Sequence, residues 1–166
     1  MVIYLGLALL IGLVSGLRTF TSIAAVSWGA RFHRIPLEHT GLAFLGFAAT
    51  PYVATLLALG ELIGDKLPST PSRKLLLPFL ARIASGSLCG ACMGIAGAAR
   101  ANSATAPWLI AGLVVGAAGS IAGTVGGSSF RALLAIAFGK DFPAALIEDA
   151  IAMVLAFIAI LALGRL

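Results

Sequence analysis

Five apolar runs alternate with short polar links along this chain. The runs lie at about residues 2–30, 41–64, 79–99, 106–139 and 144–164. A helix needs about 20 mostly apolar residues to cross a hydrocarbon core of about 30 Å. The pattern therefore predicts an all-α integral membrane protein with about five to six transmembrane segments, all within a single transmembrane domain, residues 1–166.

The first and fourth runs are too long for one simple crossing. As a continuous helix the fourth run would reach about 50 Å. Small or polar residues interrupt both runs, as SGLRT at 15–19 and GGSS at 126–129. Strong tilt is one explanation, but this composition favours a broken helix or a re-entrant hairpin. Irregular backbone at membrane depth must be buried in protein or line a wet cavity.

Two short segments from the first half of the chain match two from the second half. The matched pairs are SGLRTFTSIA (15–24) with SSFRALLAIA (128–137), and ELIGD (61–65) with ALIED (145–149). The first match aligns Arg18 with Arg131, and the second aligns Asp65 with Asp149. Each half thus has an interrupted helix with an arginine, followed by a helix with acids.

This match predicts two repeats, about residues 1–67 and 106–164, on either side of a linking span at about 75–100. A single linking span makes the second repeat enter from the opposite side of the membrane. The expected architecture is therefore two inverted repeats with interrupted helices, a plan that transporters use with the site near the midplane.

Charge composition narrows the possible partners. Only 10% of the residues are charged, against 60% that are hydrophobic, whereas a soluble domain has about 25% charged residues. The net charge of +5 comes from basic residues in the links, where they meet lipid headgroups. No basic cluster contains interleaved aromatic residues. The lipid bilayer is therefore the expected partner, and nucleic-acid binding is excluded.

Two arginines, Arg18 and Arg131, lie inside apolar runs. A charge at the bilayer centre costs several kcal/mol, so such residues face the bundle interior and have partners. Four acids are the expected partners: Glu61, Asp65, Glu148 and Asp149. These residues would form either a substrate, ion or proton site or a structural clamp between helices.

Hydroxyl residues flank both arginines. They are Thr19 and Thr21 beside Arg18, and Ser128 and Ser129 beside Arg131. A helix that restarts after SG or GGSS presents free backbone N–H groups and the positive end of its dipole. Together with the arginines, these groups predict an anion-attracting pocket.

Glycine ladders run through the third and fourth apolar runs. Their members are Gly86, Gly90, Gly94, Gly112, Gly116, Gly119, Gly123 and Gly127. Small residues spaced four apart allow helices to pack backbone to backbone in lipid. The ladders predict a packing seam, either inside one chain or between two protomers, and a homodimer is expected.

A CxxC motif, Cys89 and Cys92, lies in the third run among apolar residues. Redox chemistry needs such a motif in a polar and accessible setting. Structural zinc needs two further ligands, but the two histidines, His33 and His39, belong to a different link. No metal and no cofactor are therefore expected.

Basic residues in short loops normally orient a membrane protein, but here they balance. With five spans, one side carries Lys66, Arg73, Lys74 and Lys140, and the other carries Arg31, Arg34, Arg100 and Arg165. The rule gives no preference between the two orientations.

Several segments along the chain form a recognisable combination. They are SGLRTFTSIAAVSW, ALGELIGDKLP followed by TPSR, ARIASGSLCGA, and a late glycine-rich run that ends in FR. This combination resembles a family of small bacterial membrane proteins known as domain of unknown function 4126. The resemblance covers nearly the whole chain. It implies a multi-pass protein of the bacterial inner membrane, and it implies no activity.

The leading functional interpretation is a transporter or channel for a small solute or ion, with an anion as one candidate. The alternative is an enzyme or translocator that acts on a phosphate-bearing lipid held by the arginines. A third interpretation is a structural assembly protein whose charges only clamp helices. An enzyme is the less favoured class.

Overall fold

The computed structural model describes residues 2–66 and 75–165, and these contain six α-helices. The helices are α1 (Val2–Leu17), α2 (Thr19–Arg31), α3 (Thr50–Gly64), α4 (Leu76–Arg100), α5 (Thr105–Phe138) and α6 (Asp141–Leu163). A short 3-10 helix, Ala43–Gly46, lies between α2 and α3. The described ranges contain no strand, so the all-α class is confirmed. Arg73 and Lys74 lie outside the described residues.

Three of the described helices, α4, α5 and α6, are long and apolar enough to cross a membrane. α1 and α3 are also apolar but have only 16 and 15 residues. At about 1.5 Å per residue, each of these two extends only about 22–24 Å. The membrane class predicted from the apolar runs is therefore supported by the length and composition of α4 to α6.

α1 and α2 form a helical hairpin with Arg18 at its tip. The backbone of Arg18 is extended (φ −144°, ψ 108°), which separates the two helices. Arg34, just beyond α2, borders the same cavity as Tyr4 from the first turn of α1. The two helices therefore run in opposite directions. The interruption predicted for the first apolar run is found at Arg18.

The interruption predicted for the fourth run is wrong, because α5 is a continuous helix of 34 residues. Gly126 and Gly127 remain helical. The hydroxyls of Ser128 and Ser129 donate to the carbonyl of Val125, at 2.8 and 3.1 Å. A glycine weakens a helix by about 1 kcal/mol, whereas each backbone group unpaired in hydrocarbon costs several kcal/mol. Continuing the helix therefore costs less than breaking it.

α5 packs between α4 and α1 through glycines at which the backbones touch. A Cβ added to Gly116 would collide with the carbonyl oxygen of Gly86 in α4, and one added to Gly123 would collide with that of Leu13 in α1. The other ladder residues also lie against atoms of this same chain: Gly86, Gly90, Gly94, Gly112, Gly119 and Gly127. The seam that the ladders predict is therefore internal to the protomer.

The bundle has an aromatic end, which contains all four tyrosine and tryptophan residues. Tyr4 packs edge-to-face on Trp108 and Trp28 on Tyr52, with ring centroids 6.2 and 5.1 Å apart. Arg34 borders the cavities of both Tyr4 and Trp28, which places the two pairs together. This end also carries the basic residues that follow or end helices: Arg31, Arg34, Arg100 and Arg165. Lys66 and Lys140 lie at the opposite end, in the turns after α3 and α5.

Candidate functional site

Charged side chains from four helices and from the turns beside them converge at the tip of the hairpin. This charged cluster consists of Arg18, Glu61, Asp65, Lys66, Arg82, Arg131, Asp141, Glu148 and Asp149. It contains both sequence-predicted arginines and all four predicted acids. Three of its members, Lys66, Arg82 and Asp141, were not among the predicted site residues.

Arg18 is the centre of the cluster and has no solvent-exposed side-chain surface. Its Nη1 donates to Asp65 at the end of α3. Its Nη2 lies 2.5 Å from Oδ1 of Asp149 and 3.8 Å from Oε2 of Glu148, both in α6. The hairpin break thus places one buried cation against three carboxylates, which offsets its loss of hydration.

The helix ends at the break are neutralised by two further charges. The backbone amides of Thr19 and Phe20 at the start of α2 both donate to the Glu61 carboxylate, at 2.8 Å. Arg82 of α4 donates to the carbonyls of Gly16 and Leu17 at the end of α1, at 2.8 and 2.6 Å. A negative charge at a helix N-terminus and a positive charge at a C-terminus are both stabilising.

The anion pocket predicted from these amides is therefore corrected by the structure. The free N–H groups at the start of α2 exist, but Glu61 of the same chain already binds them. The helix restart predicted after GGSS, beside Arg131, does not occur, because α5 is continuous. Ser128 and Ser129 bond to their own helix, and Thr21 is buried in α2.

Arg131 binds the cluster from its outer side. Its Nε and Nη2 donate to the two carboxylate oxygens of Asp141, at 2.9 and 2.6 Å. Its Nη1 lies 3.5 Å from Glu148 and 3.8 Å from Asp65. Asp141 begins α6 ten residues after Arg131, so the tight turn between α5 and α6 produces this two-point pair.

Exposure of the side chains increases from Arg18 outward. The exposed fraction is 0% for Arg18 and 1% for Glu148, but 16% for Asp65 and 61% for Asp141. Lys66, which lies 2.6 Å from Asp149, is 20% exposed. The cluster is therefore accessible from its outer side only as far as the carboxylates that surround Arg18.

Hydroxyl groups continue the polar region from the cluster into the bundle. The Thr19 carbonyl accepts hydrogen bonds from Ser22 and Ser85, at 2.8 and 3.0 Å. The two hydroxyls are 3.1 Å apart. Thr124 of α5 donates to the Gly16 carbonyl at 3.2 Å. Beyond these groups, towards the aromatic end, the polar region gives way to apolar packing.

That apolar packing closes the bundle between the cluster and the aromatic end. Ile11, Cys89, Cys92 and Met93 form its centre, and each is fully buried. The two cysteines are free and buried, so neither has the accessible environment that redox chemistry needs. The interior of the bundle is thus polar at one end and sealed at the other.

Arg18 Nε, at the centre of the cluster, is one of several buried side-chain atoms that form no hydrogen bond with the described part of the chain. The N–H of Arg18 Nε is buried and donates to no described acceptor. Buried polar groups are nearly always hydrogen-bonded to protein or water. The Nε of Arg18 is therefore a buried donor that the carboxylates around it do not satisfy.

The histidines lie away from the cluster. His33 Nδ1 is 2.9 Å from Oε1 of Glu38, and both side chains are exposed in the link after α2. A hydrogen bond from its own backbone amide and a second from the His33 ring lower the pKa of the Glu38 carboxyl. Among the described residues, no group of three or more His, Cys, Asp or Glu side chains is arranged to hold a metal ion.

Comparison of the chain with protein-family models, with curated proteins and with solved structures found no match. The resemblance described above stays a prediction. What this site does must therefore be argued from its own geometry.

Proposed function

We propose that this protein is a transporter or channel that moves a small solute or ion across a membrane, with the charged cluster as its binding site. The observation that carries this proposal is the helix break at Arg18, deep in the bundle, where a fully buried cation meets three carboxylates. Discontinuous helices with charged residues at the break are how many transporters bind substrates and coupling ions.

The one-sided accessibility of the cluster supports a transport function. The exposed fraction falls from 61% at Asp141 to 0% at Arg18, and the packing around Met93 closes the other side. A site that is open to one side and closed to the other is the arrangement that alternating access requires. A cluster that only held helices together would not need exposure to increase from Arg18 to Asp141.

The contacts favour a proton or a small cation over an anion. The guanidinium groups of Arg18 and Arg131 already face carboxylates, and Glu61 binds the amides at the start of α2. An anion would have to displace a carboxylate from one of these donors. A proton or a cation adds to the carboxylate oxygens and only weakens their existing ion pairs. The same reasoning makes a lipid phosphate between the two arginines the weaker alternative.

We also propose that the two halves are inverted repeats. Residues 19–24 in α2 and 61–65 in α3 run opposite to their matches in α5 and α6, whereas residues 15–17, at the end of α1, run parallel to α5. Arg18 and Arg131 then meet the same acids, Asp65 and Glu148. The bacterial inner membrane as location and a homodimer as assembly are proposals as well. A dimer interface would have to use surfaces other than the internal glycine seam.

Flux measurements in liposomes test the proposed function. Purified protein is reconstituted, and uptake of protons, Na⁺, K⁺ and chloride is followed in parallel with protein-free vesicles. We expect a cation or proton flux that Asp149→Asn reduces at least about tenfold. Glu38→Gln is the matched control, because Glu38 is an exposed acid far from the cluster.

Two results would contradict the proposal. One is the absence of flux for every species tested, with the protein inserted and folded. The other is an Asp149→Asn rate equal to that of the Glu38→Gln control. Chloride flux that depends on Arg18 would instead establish an anion pathway and refute the preference for cations.

A further inference from the structure

A cavity of about 370 Å³ opens at the aromatic end, on the side of the molecule away from the charged cluster. It lies where the first turn of α1, the segment after α2, and the last turns of α4 and α6 meet. Its polar side chains are His33, Arg34 and Arg100, with Tyr4 and Leu163 beside them. None of the described residues that line this cavity is acidic.

The two guanidinium groups of the cavity are available for an anion. Arg34 has a long hydrogen bond from Nη1 to the Ile160 carbonyl, at 3.4 Å, near the end of α6. Arg100 ends α4 and is exposed, and it forms no ion pair with a described residue. The nearest acid of the link, Glu38, is held by His33 at 2.9 Å. Among the described residues the cavity is therefore electropositive and has no carboxylate of its own.

A second, apolar cavity of about 340 Å³ adjoins the first, because Arg34 borders both. It lies between α2 and α6, and its walls include Trp28, Phe32, Phe157 and Ile160. Trp28 stacks on Phe32, with ring centroids 5.4 Å apart. Trp and Tyr residues are typical of the interface between headgroups and acyl chains. The basic cavity thus adjoins the apolar cavity, an apolar groove, at the level where a lipid headgroup gives way to its acyl chains.

We propose that this pair of cavities binds an anionic phospholipid. The lipid phosphate contacts Arg34 and Arg100, and an acyl chain lies in the groove beside Trp28 and Phe157. Guanidinium groups bind phosphate with two parallel hydrogen bonds, and basic pockets between transmembrane helices bind anionic headgroups. Free phosphate shares the headgroup chemistry but has nothing to fill the apolar groove. The site is separate from the charged cluster and does not depend on the transport proposal.

Native mass spectrometry of the full chain tests this site. The protein is released from detergent with phosphatidylglycerol, phosphatidylcholine or inorganic phosphate, and the bound fraction is measured for each. We expect phosphatidylglycerol to bind at least about tenfold more tightly than phosphatidylcholine, and inorganic phosphate to bind weakly. The double variant Arg34→Gln/Arg100→Gln should remove most of this preference, since each basic residue near an anionic lipid contributes about a fivefold gain.

Arg31→Gln/Arg165→Gln is the matched control, because it removes two positive charges from the same end but outside the basic cavity. It should change the lipid preference by less than about twofold. Phe157→Ser should weaken phosphatidylglycerol binding without affecting inorganic phosphate. Thermal unfolding of each variant checks that the fold is retained.

Three outcomes would overturn the proposal. Equal losses in the two double variants would show that only diffuse charge attracts the lipid. Binding of inorganic phosphate as tight as that of phosphatidylglycerol would show a site for a soluble anion. Equal binding of phosphatidylglycerol and phosphatidylcholine would show that the cavity does not recognise a negative headgroup.

Discussion

Replacing Arg18 by methionine tests whether the charged cluster depends on its central cation. Methionine has a similar length but no charge, so Asp65, Glu148 and Asp149 would keep their charges and lose the fully buried group they face. Removing one partner of a buried ion pair costs about 3–5 kcal/mol. A pair at 4 Å and an effective dielectric constant of about 20 interacts by about 4 kcal/mol. We therefore expect Arg18→Met to lower the free energy of unfolding by about 3–5 kcal/mol.

A double-mutant cycle with Asp149→Asn separates the ion pair from other effects. Asn keeps the shape of Asp149 but not its charge, so it breaks the contacts with Arg18 and Lys66. In the double variant, one of the three carboxylates that face Arg18 no longer carries a charge. Its destabilisation should therefore be smaller than the sum of the single effects by about 1–3 kcal/mol.

Unfolding by sodium dodecyl sulfate in mixed micelles measures these free energies, with fluorescence of Trp28 and Trp108 as the signal. Arg165→Met is the control, because Arg165 is exposed just after α6 and should change stability by less than about 0.5 kcal/mol. The reasoning would be refuted if Arg18→Met lay within about 1 kcal/mol of the control. Strict additivity in the cycle would show that Arg18 and Asp149 do not interact.

Three further predictions follow from the packing and the helix ends. Glu61→Gln keeps one acceptor for the amides at the start of α2 but removes the charge, so it should cost about 1–3 kcal/mol in the same unfolding assay, and an unchanged midpoint would contradict this. Gly116→Ala should lower the free energy of unfolding by about 1–3 kcal/mol, because the added Cβ meets the backbone of α4. Gly6→Ala, whose Cβ meets open space, should leave stability unchanged or raise it by about 0.5–1 kcal/mol. Equal effects of the two substitutions would argue against an internal seam. An aqueous thiol reagent should label Asp141→Cys within minutes and leave buried Cys89 unlabelled, and rapid labelling of Cys89 would show that the bundle is not closed there.

The two long apolar runs show where sequence reasoning succeeded and where it failed. Both contain small polar residues, and an interruption was expected in each. The first run breaks at Arg18 because Glu61 and Arg82 bind the exposed helix ends. A Cβ added to Gly126 would meet open space, and the Ser128 hydroxyl bonds within α5. The two interruptions have the same kind of local composition. Only the contacts with other helices distinguish the run that breaks from the run that stays helical.

For the charged cluster, too, the sequence predicted the kind of contact but not every partner. Burial cost alone predicted that Arg18 and Arg131 would face acids, and the structure brings them to the predicted ones. Arg82 was missed because it lies near the start of a span, where a basic residue normally faces headgroups. In the structure it is buried and binds the last carbonyls of α1. The segment GLR at 16–18 indicates a helix end with free carbonyls at the end of α1. It does not indicate which cation binds those carbonyls.

The sequence alone determined the features that depend on local composition and on the cost of polar groups in lipid. These are an all-α membrane protein, glycine ladders for close helix packing, and buried arginines that require acids. The tertiary structure decided what depends on partners distant in the chain. It placed the ladders inside one protomer, folded the first run into a hairpin, and filled the expected anion pocket with Glu61. The physical reason is that a helix end or a charge in hydrocarbon must be satisfied, and several groups of one chain can satisfy it. The packing of the whole bundle determines which of them does.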